Sequence, residues 1–233
     1  MKPLYDIGWI VGRMTGALLL GAQVDGRENI PDDGAFILAP NHISYLDPPI
    51  VAGFVPRRLH FFAKKELFDF PLFGSILRGL QVHPIRRGGF NRGALQLAID
   101  LLKDGRPITV FPEGTRGKNG ILLEPKAGIG RIAQDSGAPI LPAFLAHLDN
   151  FKRCLRRKER LQIRFGELIS ASWIASQESN KEGWFTIARE VMRRIGDLRD
   201  TPAIEAGLAP RNESAPGGTT DDGGGLHMIR IVS

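Results

Sequence analysis

Two short stretches hold the residue types that could do chemistry: Asn41-His42-Ile43-Ser44-Tyr45-Leu46-Asp47 and Pro112-Glu113-Gly114-Thr115-Arg116-Gly117-Lys118. An imidazole exchanges a proton near neutral pH, and a carboxylate beside it fixes the ring's tautomer and stabilises the charged ring. His42 and Asp47 stand five residues apart, about 140° around a continuous helix and so on different faces. Through a turn, the carboxylate folds back on the imidazole. The same residues also fit a plainer role. Asp47 before Pro48 makes an N-cap with proline at the first helical position, and Ser44 three residues earlier makes a rival capping box. His42 is then an ordinary loop histidine.

The second stretch offers donors and cations. Gly114 lets the backbone come close to a ligand, while Glu113, Arg116 and Lys118 supply hydrogen bonds and charge. Lys65, Arg86 and Arg87 add further cation. A base beside an arginine-rich pocket points to attack by a hydroxyl on a substrate that also carries phosphate. The loop is not a nucleotide P-loop: Pro112 holds the place of its first glycine, and Asn119 stands where Ser or Thr is required. The chain has no G-x-S-x-G elbow, and no His, Cys and Asp spacing reads as zinc. The lone cysteine, Cys154, lies among cations that favour a thiolate but has no placed base. The other histidines, His60, His83, His147 and His227, read as packed or solvated.

These loops need elements to hold them. Apolar runs at Ala35-Phe36-Ile37-Leu38-Ala39, Leu59-His60-Phe61-Phe62-Ala63, Ile108-Thr109-Val110-Phe111 and Pro139-Ile140-Leu141-Pro142-Ala143-Phe144 read as buried strands. Gln81 to Ile85 reads as an edge strand because of Pro84, and Leu161 to Phe165 as a half-exposed one. Helical periodicity covers Asn91 to Lys103, Gly128 to Ser136 and Gly183 to Asp200, with a short helix over Pro49 to Phe54. Gln23 to Asp33 is turn-rich. Leu67 to Leu77 is apolar and aromatic but broken by Pro71 and Gly74, too irregular for a simple amphipathic helix. It is either buried or an acyl-binding or membrane-facing rim. Both loops follow strands, where α/β folds place ligand-contacting groups. Strands alternating with helices give an α/β class with a mixed, largely parallel sheet flanked by helices.

At 233 residues, with 42% apolar and 24% charged residues, the chain suits one globular domain. Its 31 Lys and Arg against 25 Asp and Glu, net +6, favour anionic partners. One cysteine excludes an intramolecular disulfide and favours a reducing compartment. The longest uncharged run near the N-terminus, Met14 to Val24, is eleven residues, about 16 Å as helix against a hydrocarbon core of roughly 30 Å. With Trp9, Leu18-Leu19-Leu20, Lys2 and Arg13 it suits a helix lying at an interface, or one packed on the core. The domain plan is therefore an interfacial helix over 1–25, the globular domain over 26–202, and a Gly- and Ser-rich disordered tail over 203–233. The basic run Lys152 to Arg160 reads as a solvated face that also favours anionic lipid. It lacks the interleaved aromatics of a single-stranded nucleic-acid site, and no nucleic-acid partner is expected.

Asn41-His42 with Asp47, Phe111-Pro112-Glu113-Gly114-Thr115-Arg116, and Pro139-Ile140-Leu141-Pro142 resemble, in order and spacing, the motifs of the glycerolipid acyltransferase family. Members include the 1-acylglycerol-3-phosphate acyltransferases. The resemblance spans about Gly26 to Phe165 and implies a glycerol-3-phosphate acyltransferase-like fold. It implies that His42 is a general base for a free glycerol hydroxyl, oriented by Asp47, and that Glu113, Gly114, Thr115 and Arg116 bind glycerol-phosphate. Pro142 matches a motif associated with the acyl donor. Lys65-Glu66-Leu67 resembles the lead-in to a block ending in a phosphate-binding arginine; here His83-Pro84-Ile85 precedes two arginines, of which Arg87 aligns and Arg86 is the alternative. The implied reaction makes phosphatidic acid from 1-acyl-sn-glycerol-3-phosphate with acyl-CoA or acyl carrier protein as co-substrate. It implies no cofactor or metal, and a peripheral enzyme on the cytoplasmic face of the cell membrane.

Overall fold

The computed structural model describes residues 2–85, 92–117 and 121–200. The expected tail at 203–233 lies outside the described residues, as do Arg86, Arg87 and Lys118.

The chain begins with helix α1 (Lys2–Met14) and a π-helical turn at Thr15–Leu19. Strand β1 (Gln23–Asp25) follows, inside the stretch expected to be turn alone. Three residues are too few to carry strand periodicity, and only pairing with β7 (Gln162–Phe165) makes them a strand. Next come β2 (Ile37–Pro40), α2 (Asp47–Phe54), β3 (Phe61–Lys64), α3 (Pro71–Gly79) and β4 (Val82–Ile85). They are followed by α4 (Arg92–Lys103), β5 (Ile108–Thr109), α5 (Gly128–Ser136) and β6 (Ile140–Ala146). Two short helices not read from the sequence, α6 (Phe151–Leu155) and α7 (Ala171–Ala175), flank β7, and α8 (Lys181–Asp200) closes the fold.

The main sheet has the order β1-β7-β6-β2-β5, parallel throughout except for the antiparallel β6–β7 pair. A parallel β3–β4 pair continues it through a bridge between His60 and Ile108. β4 is the outer strand of that pair, the position that tolerates the missing amide of Pro84. Alternate residues of β2 and β6 feed two cores. Ile37, Ala39, Ile140 and Phe144 pack under α4, α5 and α8, while Phe36, Leu38, Leu141 and Leu145 pack under α2. A strand covered on both faces reads as a continuous apolar run. β7 is likewise buried along most of its length rather than half-exposed, and Arg164 within it donates to the Leu198 carbonyl.

The segment Leu67 to Leu77 also departs from expectation, since most of it is ordinary helix. Pro71 sits in the first turn, where its missing N–H costs nothing. Gly74 lies where a Cβ would come within 2.7 Å of the Phe68 carbonyl oxygen. It is the contact, rather than a break, that requires glycine. The segment is largely exposed: Phe70, Leu72 and Phe73 stand 68%, 79% and 46% accessible.

Candidate active site

β2 and β5 are neighbours and parallel, so the chain leaves both at the same edge of the sheet. Asn41 prolongs β2 with its side chain, whose amide donates to the Leu145 carbonyl and whose oxygen accepts from the Leu145 N–H. The main chain is thus anchored immediately before His42. Asp47 follows at the first turn of α2, fully buried, and one carboxylate oxygen gathers three donors. The amides of Ile43 and Ser44 donate to it at 2.7 and 2.8 Å, and His42 Nδ1 lies 2.7 Å away. A carboxylate only accepts, so Nδ1 carries the hydrogen and Nε2 presents a lone pair. The alternative roles drawn from sequence separate here. Leu46 occupies the cap position with no side-chain cap bond, and Asp47 turns back to the imidazole.

The second loop holds His42 from the other side. Phe111 stacks on its ring with centroids 4.1 Å apart. Glu113, 2% exposed, accepts from the His42 amide with one oxygen and from the Leu123 amide with the other, each at 2.9 Å. The Gly117 amide donates to the His42 carbonyl at 2.7 Å. Both main-chain groups of the histidine are therefore tied to the loop after β5. Burial pushes the Glu113 carboxyl pKa up, and the two amides pull it back. Each Glu113 oxygen thus accepts from a backbone amide, one of them that of the histidine itself.

Beyond Glu113 the loop opens to solvent. Gly114 has φ +66°, a left-handed conformation that favours glycine, and Gly114, Thr115 and Arg116 are exposed. Arg116 lies over the ring of Tyr45, its guanidinium carbon 3.5 Å from the centroid. Hence His42, Asp47, Glu113, Gly114, Thr115 and Arg116 share one edge of the sheet. Lys65 is exposed in the turn after β3. Pro142 is buried in β6, paired with Ala39. The sequence assigns no individual role to Phe111, Gly117 or Leu123. They act through a ring face and backbone amides, which leave no signature in side-chain chemistry.

A second imidazole pair lies at the opposite ends of the strands. His60 Nδ1 and His83 Nε2 are 2.9 Å apart, and the rings lie within 15° of one plane, the geometry of an in-plane hydrogen bond. Burial, then His83 and Arg106, lower the His60 pKa to about 4.

Residues 21–146 match the family model described as Acyltransferase. The chain belongs to the acyltransferase family. It is 31% identical over 181 residues to the 1-acyl-sn-glycerol-3-phosphate acyltransferase of Bacillus subtilis (strain 168), covering 77% of this chain and 89% of that protein. The enzyme of the same name from Streptococcus pneumoniae is 31% identical over 76% of this chain and 66% of its own length. The crystal structure of the 1-acyl-sn-glycerophosphate (LPA) acyltransferase PlsC from Thermotoga maritima superposes with a TM-score of 0.67. It shares 30% identity and covers 85% of this chain and 80% of that one. The acyltransferase fold, a mixed and mostly parallel sheet flanked by helices, is thus the fold expected from sequence.

Proposed function

We propose that this acyltransferase transfers a fatty acyl group to the free hydroxyl of 1-acyl-sn-glycerol-3-phosphate, giving phosphatidic acid. One observation carries the reading: the His42–Asp47 pair and the Arg116 loop are bonded together through the His42 main chain. His42 Nε2 takes the hydroxyl proton as the oxygen attacks the thioester carbonyl of acyl-CoA or acyl carrier protein. The C–O bond forms, the C–S bond breaks, and the imidazolium returns the proton to the departing thiolate. Asp47 stabilises the ring while it is charged. No acyl-enzyme and no cofactor take part. The donor is a co-substrate, and Arg116, with Arg87 and Lys65, receives the acceptor phosphate. The similarity to enzymes named for this acceptor supports the assignment. General-base help contributes about 10²- to 10⁴-fold, and holding two substrates in line offsets roughly 7–11 kcal/mol.

The same reading puts the enzyme at the cytoplasmic face of a membrane. No helix among the described residues is long and apolar enough to span one. Supporting a peripheral seat, α1 and the turn after it leave Ile7, Ile10, Val11, Met14, Leu18 and Leu19 more than half exposed. Arg157, in the basic run after α6, donates to the Leu18 carbonyl, so cations that attract anionic lipid flank this apolar strip.

A panel of lysolipid acceptors, with products read by mass spectrometry, tests the assignment. Phosphatidate is expected as the main product, with Arg116→Ala raising the KM for phosphate-bearing acceptors only. Equal turnover of phosphate-free lysolipids assigns another acceptor. Vesicle binding without transfer to any acceptor leaves only a lipid-binding module.

A further inference from the structure

We infer that Tyr45 is a positioning residue for the acceptor: its ring is the shelf that holds Arg116 where the phosphate arrives. The inference rests on the proposed role of Arg116. Tyr45 lies inside the histidine turn, three residues after His42, yet it stands 79% exposed. Nothing in core packing accounts for a large aromatic ring there. What it does contact is Arg116, on the other loop, at 3.5 Å from guanidinium carbon to ring centroid. At that distance only a face-on stack fits, because an edge-on guanidinium would drive its N–H groups into the ring.

A face-on stack has a chemical consequence. It occupies the π-face of the guanidinium and leaves the in-plane N–H donors pointing outward. Those donors match the two oxygens of a phosphate. A free arginine side chain samples many rotamers, and fixing them is part of the cost of binding. Tyr45 meets that cost before the ligand arrives. It also links the two halves of the site, since the ring belongs to the segment that carries the base and the cation to the loop after β5.

The stack's partners differ in depth from the clamp beneath. Glu113 and the Gly117 amide fix the loop's backbone under cover, while Tyr45 fixes only the tip of one side chain at the surface. Losing the shelf therefore alters acceptor binding without disturbing the histidine.

The test is equilibrium binding of a soluble short-chain lysophosphatidate to the full chain by calorimetry, alongside kcat and both KM values. Exposed cation–π contacts set the scale at about two- to fivefold in affinity. Tyr45→Ala is expected to weaken lysophosphatidate binding by about that factor, leaving kcat and the donor KM in place. Tyr45→Phe, which keeps the ring, restores wild-type affinity. In an Arg116→Ala background, Tyr45→Ala has no further effect, and a phosphate-free lysolipid binds wild type and Tyr45→Ala alike. If Arg116→Ala weakens binding but Tyr45→Ala does not, or if the two losses add in the double variant, the shelf is wrong and the acceptor assignment stands. If Arg116→Ala itself leaves binding unchanged, both fall. An exposed substitution of this kind is expected to leave the melting temperature nearly unchanged, so a thermal melt separates misfolding from loss of the shelf.

Discussion

The two imidazole pairs of this molecule sit in contrasting surroundings, and the contrast bears on the proposal that His42 is the base. His42 faces a buried carboxylate whose other donors are backbone amides, and its side chain is 19% exposed, open to a ligand on one side. His60 faces another imidazole in a buried seam at the opposite ends of the strands, near Arg106. A carboxylate welcomes the proton that catalysis puts on the ring. A second imidazole and an arginine repel it. The same side chain stands beside a carboxylate in one place and is held neutral in the other, chiefly by burial and then by the second imidazole and the arginine.

Replacing the partner should collapse the difference. Asp47→Asn keeps the shape of the side chain but removes the charge facing His42. Steady-state acyl transfer is expected to fall about 10²- to 10⁴-fold with the acceptor KM little changed. A rate within threefold of wild type would show that the carboxylate does not support the base.

The His60 pair makes its own prediction, in stability. Its folded pKa of about 4 lies below the unfolded 6.5, so the unfolded chain binds more protons between those values. Stability present above pH 6.5 is lost as pH falls through that window, by about 2 kcal/mol from His60 once pH 5.0 is reached. Urea unfolding at pH 7.5 and 5.0 measures it, and His60→Asn should flatten the acid side. An equal acid loss in the variant would place the proton elsewhere.

A smaller effect tests the clamp that distinguishes the first pair. In Glu113→Gln, the new NH2 must face one of two backbone amides, turning an accepted hydrogen bond into two opposed donors. The expected cost is about 1–3 kcal/mol in unfolding free energy, with a fall in kcat and no selective change in acceptor KM. A purely acceptor-KM effect would return Glu113 to ligand binding.

How much of this was legible in the sequence depends on the kind of interaction. The α/β layering, most strands and the two loops could be read because apolar runs and motif residues sit close together along the chain. The histidine–carboxylate pair lies within five residues, and its two local readings were both visible; only the fold chose between them. The Glu113 clamp was not legible, because its donors are backbone amides 71 and 10 residues away and any sequence has amides. Tyr45 over Arg116 joins two loops that meet only when β2 and β5 pair. α3 was misread because Pro71 and Gly74 look like breakers, whereas one opens a helix and the other admits a neighbouring backbone. β1 was missed because three residues become a strand only once β7 is beside them.

The base itself is tested most directly by phosphatidate formation at saturating donor and lysophosphatidate, wild type against His42→Ala. A fall of at least about 10²-fold in kcat is expected, with lysophosphatidate binding intact and the melt unchanged. Phosphatidate formed by the variant at the wild-type rate would contradict it.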